Sequence, residues 1–417
     1  MHDHPALAEA CERDNEVVPL FVLDPALLGR SPNRTRFLME SLVDLDRQLS
    51  ARGAGLVTRQ GDPARSALSL AREMECTQIW LADDSSAYAH ARLAKLTDSG
   101  VQTLLFPGHS IVEPREVAPA GRDHYRVFTP FYRAWSQAPR RPVLEAPREI
   151  PLPADLELGP RPDPSAFRPE SPEVVEGGES AARELLDAYA RSGAENYADD
   201  RNLPAKDSTS RLSPYLRFGC VSANEVAIRL SDQIELTRQL AWRDFFLQLL
   251  GADPGLATQD LRPGPEISAS FPDSLEAWKE GRTGLPLVDA GMRQLAREGW
   301  MHGRVRMVAG SLLTRRLGIP WIEGLRHFDR LLLDGDVAND AGNWQWVAGT
   351  GTDPRRTRVL NPVRQAKRFD PDGSYVRRYV EELADVPAPL IFAPWRDPEL
   401  LHDRGYPSPV IEVPDKT

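Results

Sequence analysis

The sequence predicts an N-terminal α/β domain with a parallel, Rossmann-like sheet, joined to a larger all-helical domain. Two observations predict this. Short apolar runs alternate with helical spacing up to residue 107, as in a parallel α/β sheet. From about residue 178 the apolar spacing is helical only.

Taken in order, VVPLFVL (17–23) is an apolar run bounded by charge, the pattern of a buried strand. Phe37, Leu38, Leu42, Leu45 and Leu49 give residues 36–51 a helical face. GLVTRQGD (55–62) reads as a strand, and a helix follows at about 63–75. TQIWLADD (77–84) and VQTLLFP (101–107) are two further strands. The Pro- and Glu-rich stretch 139–177 lacks periodicity and reads as an extended linker. Helices are expected at 181–191, 235–250, 287–299, 303–317 and 321–332. The expected domains are therefore 1–138, a linker at 139–177, and 178–417.

Composition bounds the function. The chain has 417 residues, enough for two to three domains, with 41% apolar and 27% charged residues, an ordinary globular balance. It has no apolar run of about 18 residues and no charged-then-apolar leader, so a cytoplasmic protein without membrane spans is expected. Cys11, Cys76 and Cys220 are scattered; they fit neither a disulfide framework nor a metal site. The net charge of −10 argues against nucleic acid as an average. The distribution argues the other way. Arg304, Arg306, Arg315 and Arg316 occur without an acid between 300 and 316, and eight bases lie between 355 and 378 against Asp370 and Asp372. Such a surface, with tryptophans nearby, suits single-stranded or flipped-out nucleic acid; the plain alternative is a solvated face balanced by acids elsewhere.

Four stretches carry chemistry. KDSTSRLSPYLRFG (206–219) sets Thr209, Ser210 and Ser213 before an apolar run, as a phosphate-holding helix start or a plain N-cap would. In ELTRQLAWRDFFLQLL (235–250), Gln239, Trp242, Arg243 and Phe246 share one helix face, an unusual set for a core contact. GWMHGRVRMVAG (299–310) puts Gly303 and Met307 on one face and His302 and Arg306 on another. A lone His302 is more often structural than catalytic. DGDVANDAGNWQWVAGTGTD (334–353) holds four aspartates, four glycines and two tryptophans, and reads as a loop that is both acidic and aromatic. No pattern supports a metal site, a Ser/His/Asp triad or a nucleotide-binding P-loop.

Together these stretches resemble the DNA photolyase/cryptochrome flavoprotein family, in the manner of the bacterial cyclobutane pyrimidine dimer photolyases. The resemblance runs through TSRLSPYLRFG, LAWRDFF, GWMHGRVRM, IPWIEG, DGDVANDAGNWQWVAGTGTD, RVLNPVRQAKRFDPDGSYVRRYV and YPSPV, in family order from about 197 to 410, and more loosely through HDHPALAEAC and VFTPFYRAW. It implies FAD folded into a U within the helical domain. Tyr197, Thr209, Ser210 and Ser213 match positions that hold its phosphates, with Arg211, Leu212 and Arg243 also matching cofactor positions. Arg306 and Asp334 match a salt bridge beside the flavin ring. Asp336 matches a residue near the flavin, and Asp340 one that faces flavin N5. Trp344 matches the nearest tryptophan of an electron chain, and Trp321 the next one out. Arg201, Gln239, Trp242, Arg304, Met307, Trp346 and Arg358 match positions at the lesion or the DNA backbone. The implied activity is that of a deoxyribodipyrimidine photo-lyase: reduced FAD absorbs light, passes an electron to a pyrimidine dimer flipped out of damaged DNA, and receives it back after the ring splits. An antenna, folate or deazaflavin, is left open. A monomer is expected.

Several positions depart from the family pattern. Gln239 stands in place of Glu, Gly303 in place of Asn, and Asp340 in place of the Asn usual in photolyases; plant cryptochromes carry Asp there. Ser268 occupies the place of the outermost tryptophan, and Trp278 in the same segment is the expected substitute. The family's opening strand is expected to be missing before Met1-His2-Asp3-His4-Pro5, as a misplaced start site would leave it, with sheet edges unpaired. A last helix after YPSPV and a long signalling tail are likewise not expected. These departures keep a second reading in view, a cryptochrome-like blue-light receptor with weak or no repair.

Overall fold

A computed structural model describes residues 1–13, 16–193, 195–264, 272–355 and 357–413. The expected strands form as β1 (Leu20–Leu23), β2 (Val57–Gln60), β3 (Gln78–Ala82) and β4 (Gln102–Phe106). β1 pairs in parallel with β2, Leu20 opposite Val57, and β3 with β4, Gln78 opposite Gln102. A parallel sheet with unpaired edges was expected; among the described residues the strands form two two-stranded sheets with no ladder between them. The helix Pro32–Ser50 lies between β1 and β2 in the chain, and Ala87–Thr97 between β3 and β4. Each pair is thus a parallel unit closed by its own crossover, as parallel pairing requires. The helix Pro63–Glu73 packs on strands of both pairs.

Local chemistry sets the helix starts. Ser31, Asp62 and Ser86 each accept a backbone N–H three residues on, and proline follows two of them at the first helical position. The stretch 139–177 is an ordered strap without strands or α-helix. It is tied by backbone bonds: Thr58 N–H to Leu158 O at 2.7 Å, Ile150 N–H to Arg52 O at 2.9 Å and Glu173 N–H to Arg297 O at 2.9 Å. Its backbone donors reach Asn33 as well, whose Oδ1 accepts from Glu170 and Ser171.

The helical half follows its apolar periodicity in Glu179–Ala188, Ile234–Ala252, Pro286–Glu298 and Trp321–Leu331. The helix expected over 303–317 is α-helical through Gly303–Ser311 and then widens to a π turn at Leu312–Arg316. The largest correction concerns 334–353, expected as a loop. Val337–Ala348 is a helix. Asp336 caps it by accepting from Asn339 N–H at 2.9 Å, and Gly349, at φ 78°, ends it in a conformation that glycine tolerates best. The interspersed Gly, Asn and Asp masked its periodicity. The acids gather at its N-terminal end, where the helix dipole favours negative charge. One continuous core runs through this half and takes in Phe128, Phe131 and Trp135 from the N-terminal side.

Candidate functional site

Two helices make the main walls of the site, and a glycine sets their separation. A Cβ on Gly342 would lie 2.1 Å from the Phe246 ring, so only hydrogen fits where Val337–Ala348 crosses Ile234–Ala252. On the second of these helices Trp242 stacks on Phe128, ring centroids 3.6 Å apart and 4° from parallel. Arg243 donates from Nη1 to the His109 carbonyl at 2.5 Å. Gln239 lies one turn away, on the same face.

Three aspartates meet at the crossing. Arg306 donates from Nη2 to Asp334 Oδ2 at 2.8 Å and from Nε to the Met301 carbonyl at 2.8 Å. Asp340 Oδ2 accepts from Asp336 N–H at 2.9 Å. Burial would raise the Asp336 carboxyl, but Arg217 and Arg243 hold it below the usual range. Asp340 goes the other way: burial, then the charge of Asp334, push it up to about 8, and Arg306 only partly opposes them. Part of its surface is accessible and lines the cleft. Asp340 therefore keeps its proton at neutral pH, beside an Asp336 that Arg217 and Arg243 hold ionised. His302 is pushed down to about 4 by burial and by Arg306 and Arg304, and is neutral. Its Nδ1 accepts from Arg304 N–H at 3.2 Å, which leaves the proton on Nε2.

The cleft has two joined cavities of about 290 and 480 Å³. Gln239, Trp300, Arg306, Asp334, Asp340 and Asn343 line both. The first adds Ser210, Arg211, Leu212, Arg217, Arg243 and Asp336. The second adds Arg201, Trp242, Arg304, Met307 and Trp344. Several polar atoms along this cleft are buried without a partner: Thr209 Oγ1, Asp334 Oδ1 and His302 Nε2. Buried polar atoms are ordinarily bonded, so these mark where a polar ligand belongs. A cleft of this size, with a few convergent polar groups, is a ligand site by ordinary criteria.

Residues 236–417 match the family described as the FAD binding domain of DNA photolyase, and residues 1–153 match DNA photolyase. A deoxyribodipyrimidine photo-lyase of Streptomyces griseus is 44% identical over 436 residues, covering 99% of this chain and 94% of that protein. The chain belongs to the DNA photolyase family. Among solved structures, a bacterial class III photolyase from Agrobacterium tumefaciens superposes with a TM-score of 0.89 at 30% identity, over 99% of this chain and 92% of that one. A Synechocystis cryptochrome gives a TM-score of 0.89 at 27% identity, covering 99% and 94% of the two chains.

The photolyase cofactor is FAD, and the cleft suits it. Unpartnered Thr209 Oγ1 and the arginines of the first cavity suit a diphosphate, and the Asp334/Asp340 wall suits a ring with exchangeable protons. The helix Ser213–Phe218 is only six residues long, so its dipole adds little and the side chains must do the holding.

Most of the sequence-derived residues converge here, but not all. Trp344 faces inward, 5% exposed, whereas Trp346, two residues on, points away and pairs with Arg358, its guanidinium 5.4 Å from the ring. Neither Trp346 nor Arg358 lines either cavity. Arg201 is paired with Glu235 at 3.2 Å. Trp278 is not an outer residue. It is fully buried and sits directly on Trp344, ring centroids 6.1 Å apart. Ser268 lies outside the described residues. Sequence reasoning missed Asn202, whose Oδ1 accepts from Arg304 Nη2 at 2.6 Å, and Trp300, which lies under the Arg211 guanidinium at 4.3 Å. It also missed Asn343 and Phe128. Trp300 stood in the quoted GWMHG, Asn343 in DGDVANDAGNWQW and Phe128 in VFTPFYRAW; Asn202 carries no local signal.

Proposed function

We propose that this chain is a light-driven repair enzyme for cyclobutane pyrimidine dimers in DNA, acting as a monomer in the cytoplasm. The observation that carries the reading is the continuity of the cleft: an acid- and arginine-lined cavity opens directly into one walled by Trp242, Met307 and Arg304. FAD, when bound and reduced, supplies the photoexcited electron. The chain supplies the rest. Arg306 and Asp334 fix a charge pair beside the ring position. Arg211, Arg217 and Arg243 hold phosphate. Trp242, stiffened by its stack on Phe128, gives a flipped-out dimer an apolar face, and the Gln239 amide reaches its polar edge. Extrusion of a damaged step costs less than that of an intact one, which favours the lesion. Trp346 with Arg358 lies outside the cleft and serves the DNA strand around it. The test is illumination of the pre-reduced protein with a dimer-containing oligonucleotide. Light-dependent loss of dimers, with FAD and not FMN released on denaturation, is expected. FAD release without dimer loss would leave the photoreceptor reading.

Binding should favour damaged DNA. The net charge is −10, so only a few arginines such as Arg304 and Arg358 meet phosphate. Two or three contacts would give log K against log salt a slope of roughly −2 to −3. Equal affinity for damaged and intact duplex at physiological salt, measured by anisotropy, would reject the lesion cavity.

A further inference from the structure

The geometry points to Asp260 as the base that ends the outward passage of the hole, by taking the indole proton of Trp321. The inference rests on the proposed function and on the electron chain that the family resemblance implies, in which Trp344 and Trp321 pass electrons to the flavin. Trp321 opens the helix Trp321–Leu331 and is 7% exposed. Its Nε1–H donates to Asp260 Oδ1 at 2.6 Å. Asp260 itself is exposed. A buried indole N–H is thus joined to solvent through one carboxylate. Three residues along the same helix, Gly324 has no room for a Cβ, which would lie 2.2 Å from Trp344 Cη2. The helix bearing Trp321 therefore rests against the Trp344 ring. The indole whose ring packs against Trp344 differs in kind. Trp278 is fully buried and donates at 3.0 Å to the Ala309 backbone carbonyl, which is too weak a base to keep a proton. Of these two tryptophans, only Trp321 has a carboxylate on its N–H.

The step balances as follows. With photoexcited oxidised FAD as the oxidant, Trp344 loses one electron and recovers it from Trp321, which becomes a radical cation. The Trp321 Nε1–H bond breaks and an Asp260 O–H bond forms, leaving a neutral indolyl radical and a neutral carboxylic acid that passes its proton to water. The neutral radical takes an electron back only when a proton returns, so the separated charge persists. A positioned base of this kind is worth about a hundredfold or more in rate.

Flash excitation of the oxidised holoenzyme, followed by transient absorption in H2O and D2O, tests this. Wild type should convert the tryptophan cation signal to the neutral radical with a solvent isotope effect. Asp260→Asn, which keeps a hydrogen-bond acceptor but not the base, should slow that conversion by about a hundredfold, and Asp260→Glu should restore most of it. An Asp260→Asn rate equal to wild type would overturn the role of Asp260. The absence of any tryptophan radical in wild type would instead overturn the electron chain on which it rests. In the dark, UV resonance Raman should report a weaker indole N–H hydrogen bond in Asp260→Ala; an unchanged spectrum would overturn the contact itself.

Discussion

Replacing Trp344 by phenylalanine is expected to nearly abolish light-driven reduction of oxidised flavin, yet leave repair by chemically pre-reduced protein close to wild type. An indole gives up an electron far more readily than a benzene ring. The residue is buried at the cleft wall, with Phe328 at 5.0 Å and Trp278 at 6.1 Å between centroids. No other indole lines either cavity beyond Trp242 and Trp300. Repair draws on an electron already delivered, so it bypasses this residue. A phenylalanine retains much of the buried volume, so the stability loss should stay below the roughly 3–5 kcal/mol of a full aromatic truncation. Absorbance during illumination without a lesion gives the first rate, and dimer loss after dithionite reduction gives the second. A proportional fall in both would assign Trp344 a different task.

Asp340→Asn should remove a steep pH dependence of stability. The carboxyl is pushed up to about 8 from an ordinary value of 3.8, by burial first and Asp334 second. At low pH both the folded and the unfolded chain hold this proton, and the favourable contribution is complete. As pH climbs past the ordinary value, the unfolded chain releases the proton and the folded one does not. Stability then falls by up to about 1.4 kcal/mol per pH unit until the folded carboxyl also ionises. The amide cannot ionise, yet can still accept from Asp336 N–H. The variant should gain over wild type as pH rises, most of all near pH 8. Urea midpoints from about pH 5 to 8 measure this. Parallel curves for the two proteins would mean that Asp340 is ionised throughout and acts as a plain hydrogen-bond partner.

Both changes fall in the segment that the sequence described least well. Its composition announced a site, because three acids and two indoles so close together have no use in a plain core. Its conformation stayed hidden, because Asp336 reads as a turn residue until its capping bond to Asn339 is seen. The strands and long helices were legible because their faces are apolar at a fixed period. The convergence of Arg306 on Asp334 was legible through resemblance, and so was the high proton affinity of Asp340, because burial and a neighbouring like charge both favour the protonated acid. Trp278 was misplaced. An indole's position in the chain does not say whether it ends at the surface or, as here, beneath another ring. Asn202 was invisible, and Phe128 stood in VFTPFYRAW without any sign that its ring meets Trp242, since each reaches the cleft from a distant part of the chain.

The two separate strand pairs also bear on how the chain reaches this structure. Leu20 meets Val57 and Gln78 meets Gln102 across one local crossover each, so either pair can close as soon as its own stretch of chain exists. The cleft is different. It needs Tyr197, Gln239, Arg306 and Asp340 together, and its Trp242 wall leans on Phe128. Long-range closure slows folding more than it costs in stability. During synthesis, the α/β pairs therefore have their partners early, whereas the cleft has no complete wall until the ribosome has passed the helix Val337–Ala348.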